Sequence, residues 1–198
     1  KHNLFSEIKT PQNKNEVLLK ILKNAQHKSL VYAGTYSEIN KLTFLLSEHT
    51  EIINNKLLND FSLWLGKNYE ENWPLVNLIK RGIGIHNGRL HRSLGQIQIK
   101  LFEELNGIKT IISTSIEGVN TSAENIIIWK NKNGRYKLND FTYNNIIGRG
   151  GRMFKHFVGQ IYILDTPPTA IETSLDLELP EEIYVDVDER TFEQELTK

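Results

Sequence analysis

Between Glu16 and Gln26 the apolar residues Val17, Leu18, Ile21, Leu22 and Ala25 recur every three to four positions, the period of a helix with one buried face. The unbroken apolar run Ser29-Leu30-Val31-Tyr32-Ala33 has the length and content of a strand buried on both sides. Gly34-Thr35 reads as a turn and helix cap, opening a helix from about Tyr36 to Leu46. From Ile52 to Lys80 the pattern is helical with one break at Trp73-Pro74, where the proline fits the first turn of a new helix. A second strand is expected at Gly82-Ile83-Gly84-Ile85, followed by the polar loop His86-Asn87-Gly88 and a helix from Arg92 to Leu105 that Gly107 stops. Lys109 to Ser113, Asn125 to Trp129 and Gly159 to Leu164 complete five strands. Between the last two lie a polar, glycine-containing excursion (Asn131 to Asn139) and a helix ending near Gly148. Strands separated by helices predict an α/β fold with a mostly parallel, doubly wound sheet and ligands at the carboxyl ends of its strands.

With 198 residues, 39% of them hydrophobic, the chain suits one compact core. Pro167-Pro168 marks a boundary: residues 1–168 form the domain and 169–198 an acidic extension, in which Ile183 to Val187 reads as an edge strand or extended arm. The net charge of zero conceals an asymmetry. Ten acidic and two basic residues lie from Glu172 onward, leaving 22 basic and 14 acidic residues in the body. That excess suits either a phosphate-attracting face or an ordinary solvated surface. There is no cysteine, and the six histidines are scattered, so no metal site is expected. No apolar run is long enough to span a bilayer, and Lys1 to Lys14 contains no signal-peptide segment, so an intracellular, cytoplasmic protein is expected. The first periodic element begins only near Glu16 and the chain opens on Lys1, which reads as a piece of something longer. Trp64, Trp73 and Trp129 sit among apolar neighbours, which favours core packing over base stacking.

Two strings carry candidate chemistry. In Ile146-Ile147-Gly148-Arg149-Gly150-Gly151-Arg152, two arginines three residues apart stand among glycines at a helix end, where close backbone approach is possible. Their forked, permanently charged side chains suit phosphate oxygens, the alternative being a flexible basic loop. In Ser113-Thr114-Ser115-Ile116-Glu117-Gly118-Val119-Asn120, hydroxyls and a glycine follow a strand directly, a placement suited to phosphate or to a simple turn.

Taken together and in this order, the strings resemble the second motor domain of superfamily-two helicases, in the branch related to DEAD-box and superkiller enzymes. Glu117-Gly118-Val119-Asn120-Thr121-Ser122-Ala123 is similar to the family's EGVN-x-x-A segment, Gly148 to Arg152 to its GRxGR segment, and Gly84 to Leu90 to its apolar strand with a histidine and glycine turn. The resemblance covers Ser29 to Leu164 and implies a three-layer RecA-like (P-loop NTPase-like) domain. It implies that Arg149 and Arg152 are catalytic, reaching the γ-phosphate of ATP as arginine fingers. Glu117, Gly118 and Asn120 would line the nucleotide, while Thr35, His86, Gly88, Thr114 and Ser115 would lie along the nucleic-acid backbone, DNA or RNA. For His86 a purely structural role remains the alternative.

Three positions depart from the family pattern. Counted back from Gly118 without a gap, Ile112 stands where relatives carry a phosphate-contacting threonine, a role Thr114 takes if the register shifts. Asn145 stands in place of glutamine or histidine, and Tyr36 in place of a basic residue. A phosphate-cradling loop is absent: Gly66-Lys67 precedes Asn68, and Phe61 occupies the leading glycine's place. The resemblance therefore implies that a first RecA-like domain acting in cis brings that loop and most of the contacts to ATP and Mg²⁺, and that this chain alone does not hydrolyse ATP. A non-catalytic helicase-like module that grips nucleic acid or a partner protein is the rival reading.

Overall fold

The structure, a computed structural model, describes residues 13–114, 123–147 and 160–166. Along the chain these residues form α1 (Lys14–Asn24), β1 (Ser29–Tyr32), α2 (Tyr36–His49), α3 (Lys56–Asn68), α4 (Pro74–Lys80) and β2 (Ile83–His86). There follow α5 (Arg92–Glu103), β3 (Thr110–Ser113), β4 (Asn125–Ile128), β5 (Lys132–Asn133), β6 (Tyr136–Lys137), α6 (Asp140–Ile147) and β7 (Gln160–Ile163). Five strands make one sheet in the order β2-β3-β1-β4-β7, every neighbouring pair parallel. The expected α/β architecture, a mostly parallel sheet between two layers of helices, is therefore present.

The apolar runs explain the layering. A strand's side chains alternate between faces, so a strand buried on both sides needs apolar residues at every position. Leu30, Tyr32, Ile111, Ile126, Ile128 and Ile163 join one core cluster with residues of α3, α5 and α6. Val31, Ala33, Ile112, Ile127 and Leu164 join a second with α1 and α2. Helix α4 reaches both, placing Leu75, Val76 and Ile79 in the first cluster and Leu78 in the second.

Several local expectations need correction. Residues 51–55 are not helical: the Ile53 N–H bonds to the Lys80 carbonyl at 2.9 Å, and the Asn55 side chain caps α3 by accepting from Leu58 N at 3.2 Å. The polar excursion contains an antiparallel pair, β5 and β6, which turns at Gly134 with φ of +62°. Of the tryptophans, Trp129 is buried and Trp73 packs against the first cluster, but Trp64 is 44% exposed. The buried stripe of α3 is Leu58, Ser62 and Leu65, which leaves Trp64 on the outer face, stacked beside Phe61 with ring centroids 6.2 Å apart.

A buried glutamine completes the sheet edge. Gln98 of α5 is fully buried; its Oε1 accepts from the Ile85 N–H at 2.8 Å and its Nε2 donates to the Leu94 carbonyl at 3.3 Å. Strand β2 has a sheet neighbour on one side only, and this side chain serves a donor of that edge strand. The proposed boundary at Pro167-Pro168 and the acidic extension 169–198 lie outside the described residues.

Candidate nucleic-acid interface

Because β3 lies between β2 and β1, the loops leaving β1 and β2 flank its carboxyl end. Hydrogen bonds fix this rim: Ala33 N donates to the Ser113 carbonyl at 2.7 Å, and Thr114 N to the His86 carbonyl at 3.3 Å. Thr35, His86, Gly88 and Thr114, far apart in sequence, thus lie at the carboxyl ends of three adjacent strands. Ser115, Glu117, Gly118, Asn120, Arg149 and Arg152 lie outside the described residues.

The turn into α2 is sterically determined. Gly34 has φ of +76°, and a Cβ there would sit 2.4 Å from the Lys132 carbonyl oxygen. The β5–β6 hairpin comes this close because Gly134 N donates to the Gly34 carbonyl at 3.0 Å and the Tyr32 hydroxyl to the Lys132 carbonyl at 3.0 Å. Burial pushes the Tyr32 phenol up to about 12, so it stays protonated as that donor. The next residue, Thr35, is extended, and its Oγ1 accepts from Glu38 N at 3.2 Å as the cap of α2. A threonine hydroxyl that accepts from the backbone keeps one O–H to donate elsewhere.

The loop after β2 is held by Asn87, whose Oδ1 accepts from Arg89 N at 2.9 Å and Leu90 N at 3.0 Å. This presents Gly88 at the surface, its missing Cβ position 3.5 Å from the Tyr36 hydroxyl. The Arg89 guanidinium lies over the Tyr36 ring, 4.2 Å from its centroid. Where the resemblance implies a basic residue Tyr36 stands, yet a cation is supplied there by a loop 53 positions away, which no local pattern reveals.

His86 sits deeper. Its ring packs beneath Gly95 of α5, where an added Cβ would lie 3.4 Å from the ring's Cδ2. Its Nδ1 is buried with no hydrogen-bond partner among the described residues, and burial holds its pKa below the ordinary value of 6.5. Ile112 is fully buried in the second core cluster, so this side chain faces helices rather than the rim; the hydroxyl at the strand's end is that of Thr114, two residues on.

On the far side of the sheet's end, the carboxylates are already engaged. Glu38 accepts from Trp129 Nε1 and Lys41 Nζ, each at 2.8 Å. Burial raises its pKa, but those bonds, with the charges of Lys41 and Lys130, outweigh burial and hold it below the ordinary range. Asp165 accepts from Asn131 N at 2.9 Å and lies 3.5 Å from Lys130; here too burial is outweighed, and the pKa is lowered. Among the described residues no cluster of three or more histidine, aspartate and glutamate side chains could hold a metal ion, and no helix is long and apolar enough to cross a membrane.

No known protein-family profile matches the chain. It is similar to Anti-bacteriophage protein B of Escherichia coli (strain K12), with 38% identity over 107 residues that cover 53% of this chain. The matched region is 14% of that relative's length.

Proposed function

We propose that this chain is the second motor domain of an ATP-dependent nucleic-acid helicase or translocase, completing an ATP site whose other half belongs to a first RecA-like domain in cis. The observation that supports this reading is the convergence of Thr35, His86, Gly88 and Thr114 at the carboxyl ends of β1, β2 and β3. That end of a parallel sheet is where ligands bind in α/β folds, and these groups suit a phosphodiester backbone: a hydroxyl with a proton to donate and a glycine that leaves the main chain approachable. Arg149 and Arg152 reach the γ-phosphate and stabilise the charge that develops on it during transfer. Mg²⁺, held by the first domain, neutralises phosphate charge when bound. Hydrolysis then shifts the two domains along the strand.

The intact protein tests this. Arg152→Ala should lower kcat for nucleic-acid-stimulated ATP hydrolysis by about 10³-fold or more, with a smaller change in nucleotide affinity. Unchanged turnover rejects the arginine assignment, whereas a wild type with no nucleic-acid-stimulated ATP hydrolysis favours the non-catalytic module. The likeness to a protein named for action against bacteriophage supports a role of the intact protein in phage defence. A deletion strain that plates phage no more efficiently than its parent would argue against that role.

A further inference from the structure

The loop between β2 and α5 opens a stretch of one charge sign. From Arg81 to Phe102 the chain holds Arg81, Arg89, Arg92 and Lys100 but no carboxylate. Arg81 is engaged within the fold, its guanidinium donating to the Thr50 carbonyl. Arg89 is exposed and pairs with no carboxylate among the described residues. Glu38 follows Tyr36 by two positions on α2, a spacing that puts the two side chains on different faces, and it is engaged by Trp129 and Lys41.

Although exposed, Arg89 is held from two sides. The Asn87 side chain fixes its backbone, accepting from Arg89 N at 2.9 Å and Leu90 N at 3.0 Å. Its guanidinium lies 4.2 Å from the centroid of the Tyr36 ring, and Tyr36 is the first residue of α2, directly behind the Thr35 cap. Ordering a mobile side chain costs binding free energy, and a ring against the guanidinium supplies that order in advance. A guanidinium with one face on an aromatic ring keeps its in-plane N–H groups available for phosphate oxygens. The neighbouring groups on the rim suit the same ligand. Thr35 keeps an O–H to donate, and the main chain at Gly88 is exposed, with only the Tyr36 hydroxyl within 4 Å of the absent Cβ.

We propose that Arg89, held on the Tyr36 ring, is a phosphate anchor for the bound strand, its forked N–H groups gripping one phosphodiester where the strand passes Thr35 and Gly88. A phosphodiester presents two anionic oxygens to a planar fork of donors, the pairing that guanidinium geometry favours. Tyr36 acts through the guanidinium: it is a positioning residue, and the charge is that of Arg89. Because a phosphate is common to every nucleotide, the anchor grips without reading sequence. This assignment rests on the strand-binding reading above and adds to it a cation that the sequence strings did not single out.

The test is an anisotropy titration of the intact protein with labelled oligo-dT and oligo-dA of equal length, over a salt range of about 50 to 200 mM. Arg89→Ala should weaken binding to both strands alike, by about 10-fold or more at the low end of that range. It should also reduce the slope of log affinity against log salt by about 0.7, the change expected when one phosphate contact to a single strand is lost. Thermal stability should stay near that of the wild type, because the substituted side chain is exposed. Arg89→Lys should keep most of the slope yet bind more weakly than the wild type, since an ammonium has the charge without the fork. Tyr36→Leu should weaken binding, and the double variant Arg89→Ala/Tyr36→Leu should bind no more weakly than Arg89→Ala alone, because the ring acts through the guanidinium. Unchanged affinity and slope in Arg89→Ala overturn the anchor while leaving strand binding intact. A loss confined to one of the two strands overturns it as well, in favour of a base contact. So does a fall in strand-stimulated ATP turnover with unaltered strand affinity, which would put a carboxylate of the first domain on Arg89. Failure of the wild type to bind either strand overturns the strand-binding reading, and the anchor with it.

Discussion

Replacing Gly88 with alanine separates a structural glycine from one that a ligand must approach. The backbone of Gly88 is outside the left-handed region that Gly34, Gly82 and Gly134 occupy. An added Cβ at Gly88 meets a single atom within 4 Å, the Tyr36 hydroxyl oxygen at 3.5 Å, an ordinary van der Waals contact. Alanine is therefore compatible with the fold, and the lost flexibility of the unfolded chain should stabilise it by about 0.4–1 kcal/mol, or about 1–4 °C in melting temperature. For the proposed nucleic-acid strand the expected effect is the opposite. A methyl group between the main chain and a phosphate displaces the close approach on which a charge-assisted hydrogen bond depends. Such a bond is worth about 1.5–3 kcal/mol, so affinity should fall roughly 10- to 100-fold. Thermal melting and oligonucleotide titration of the same Gly88→Ala sample measure both quantities. Gly34→Ala is the contrast: the left-handed backbone costs about 1–2 kcal/mol, and the Cβ position 2.4 Å from the Lys132 carbonyl oxygen adds about 1–3 kcal/mol of overpacking, so this variant should melt several degrees lower. Undiminished affinity in Gly88→Ala, with the fold intact, would refute placement of the strand over this loop.

Two further outcomes follow from buried polar groups. Gln98→Leu strands the Ile85 N–H at the sheet edge, a loss of about 1–3 kcal/mol visible in urea unfolding; a neutral result would mean that water reaches this donor. Burial disfavours protonation of the folded His86 ring and lowers its pKa from 6.5. As pH falls below 6.5, the unfolded chain binds a proton that the folded ring binds less readily, so stability present above that pH is lost as the solution is acidified. Melting at pH 7.5 and 5.5 should therefore show a larger drop for the wild type than for His86→Gln, and equal drops would contradict the burial.

Thr35 illustrates how far a sequence can carry a site. A hydroxyl after Gly34 at the end of an apolar run is legible as a helix cap, and the cap is there, with Glu38 N bonded to Oγ1. Ile112 illustrates the limit. An ungapped count places it where the helicases that the sequence resembles carry a threonine, and only the pleat of β3 reveals that its side chain enters the core. The Trp64 expectation failed for a related reason: apolar neighbours in sequence say nothing about which helical face meets the sheet, and the buried stripe of α3 passes it by.

The sequence by itself determined the elements and their class, because unbroken apolar strand runs and three-to-four periodic helices require a sheet covered on both faces. It also supplied the candidate residues, since glycine, hydroxyl and arginine strings are local features. Strand order was beyond its reach. Only the tertiary structure put β3 between β2 and β1, and so brought Arg89 onto Tyr36 and Gly88 beside its hydroxyl. The physical reason is that apolar burial is non-directional: it dictates that these strands pack, while side-chain fit and backbone hydrogen bonds between distant segments decide which strands become neighbours.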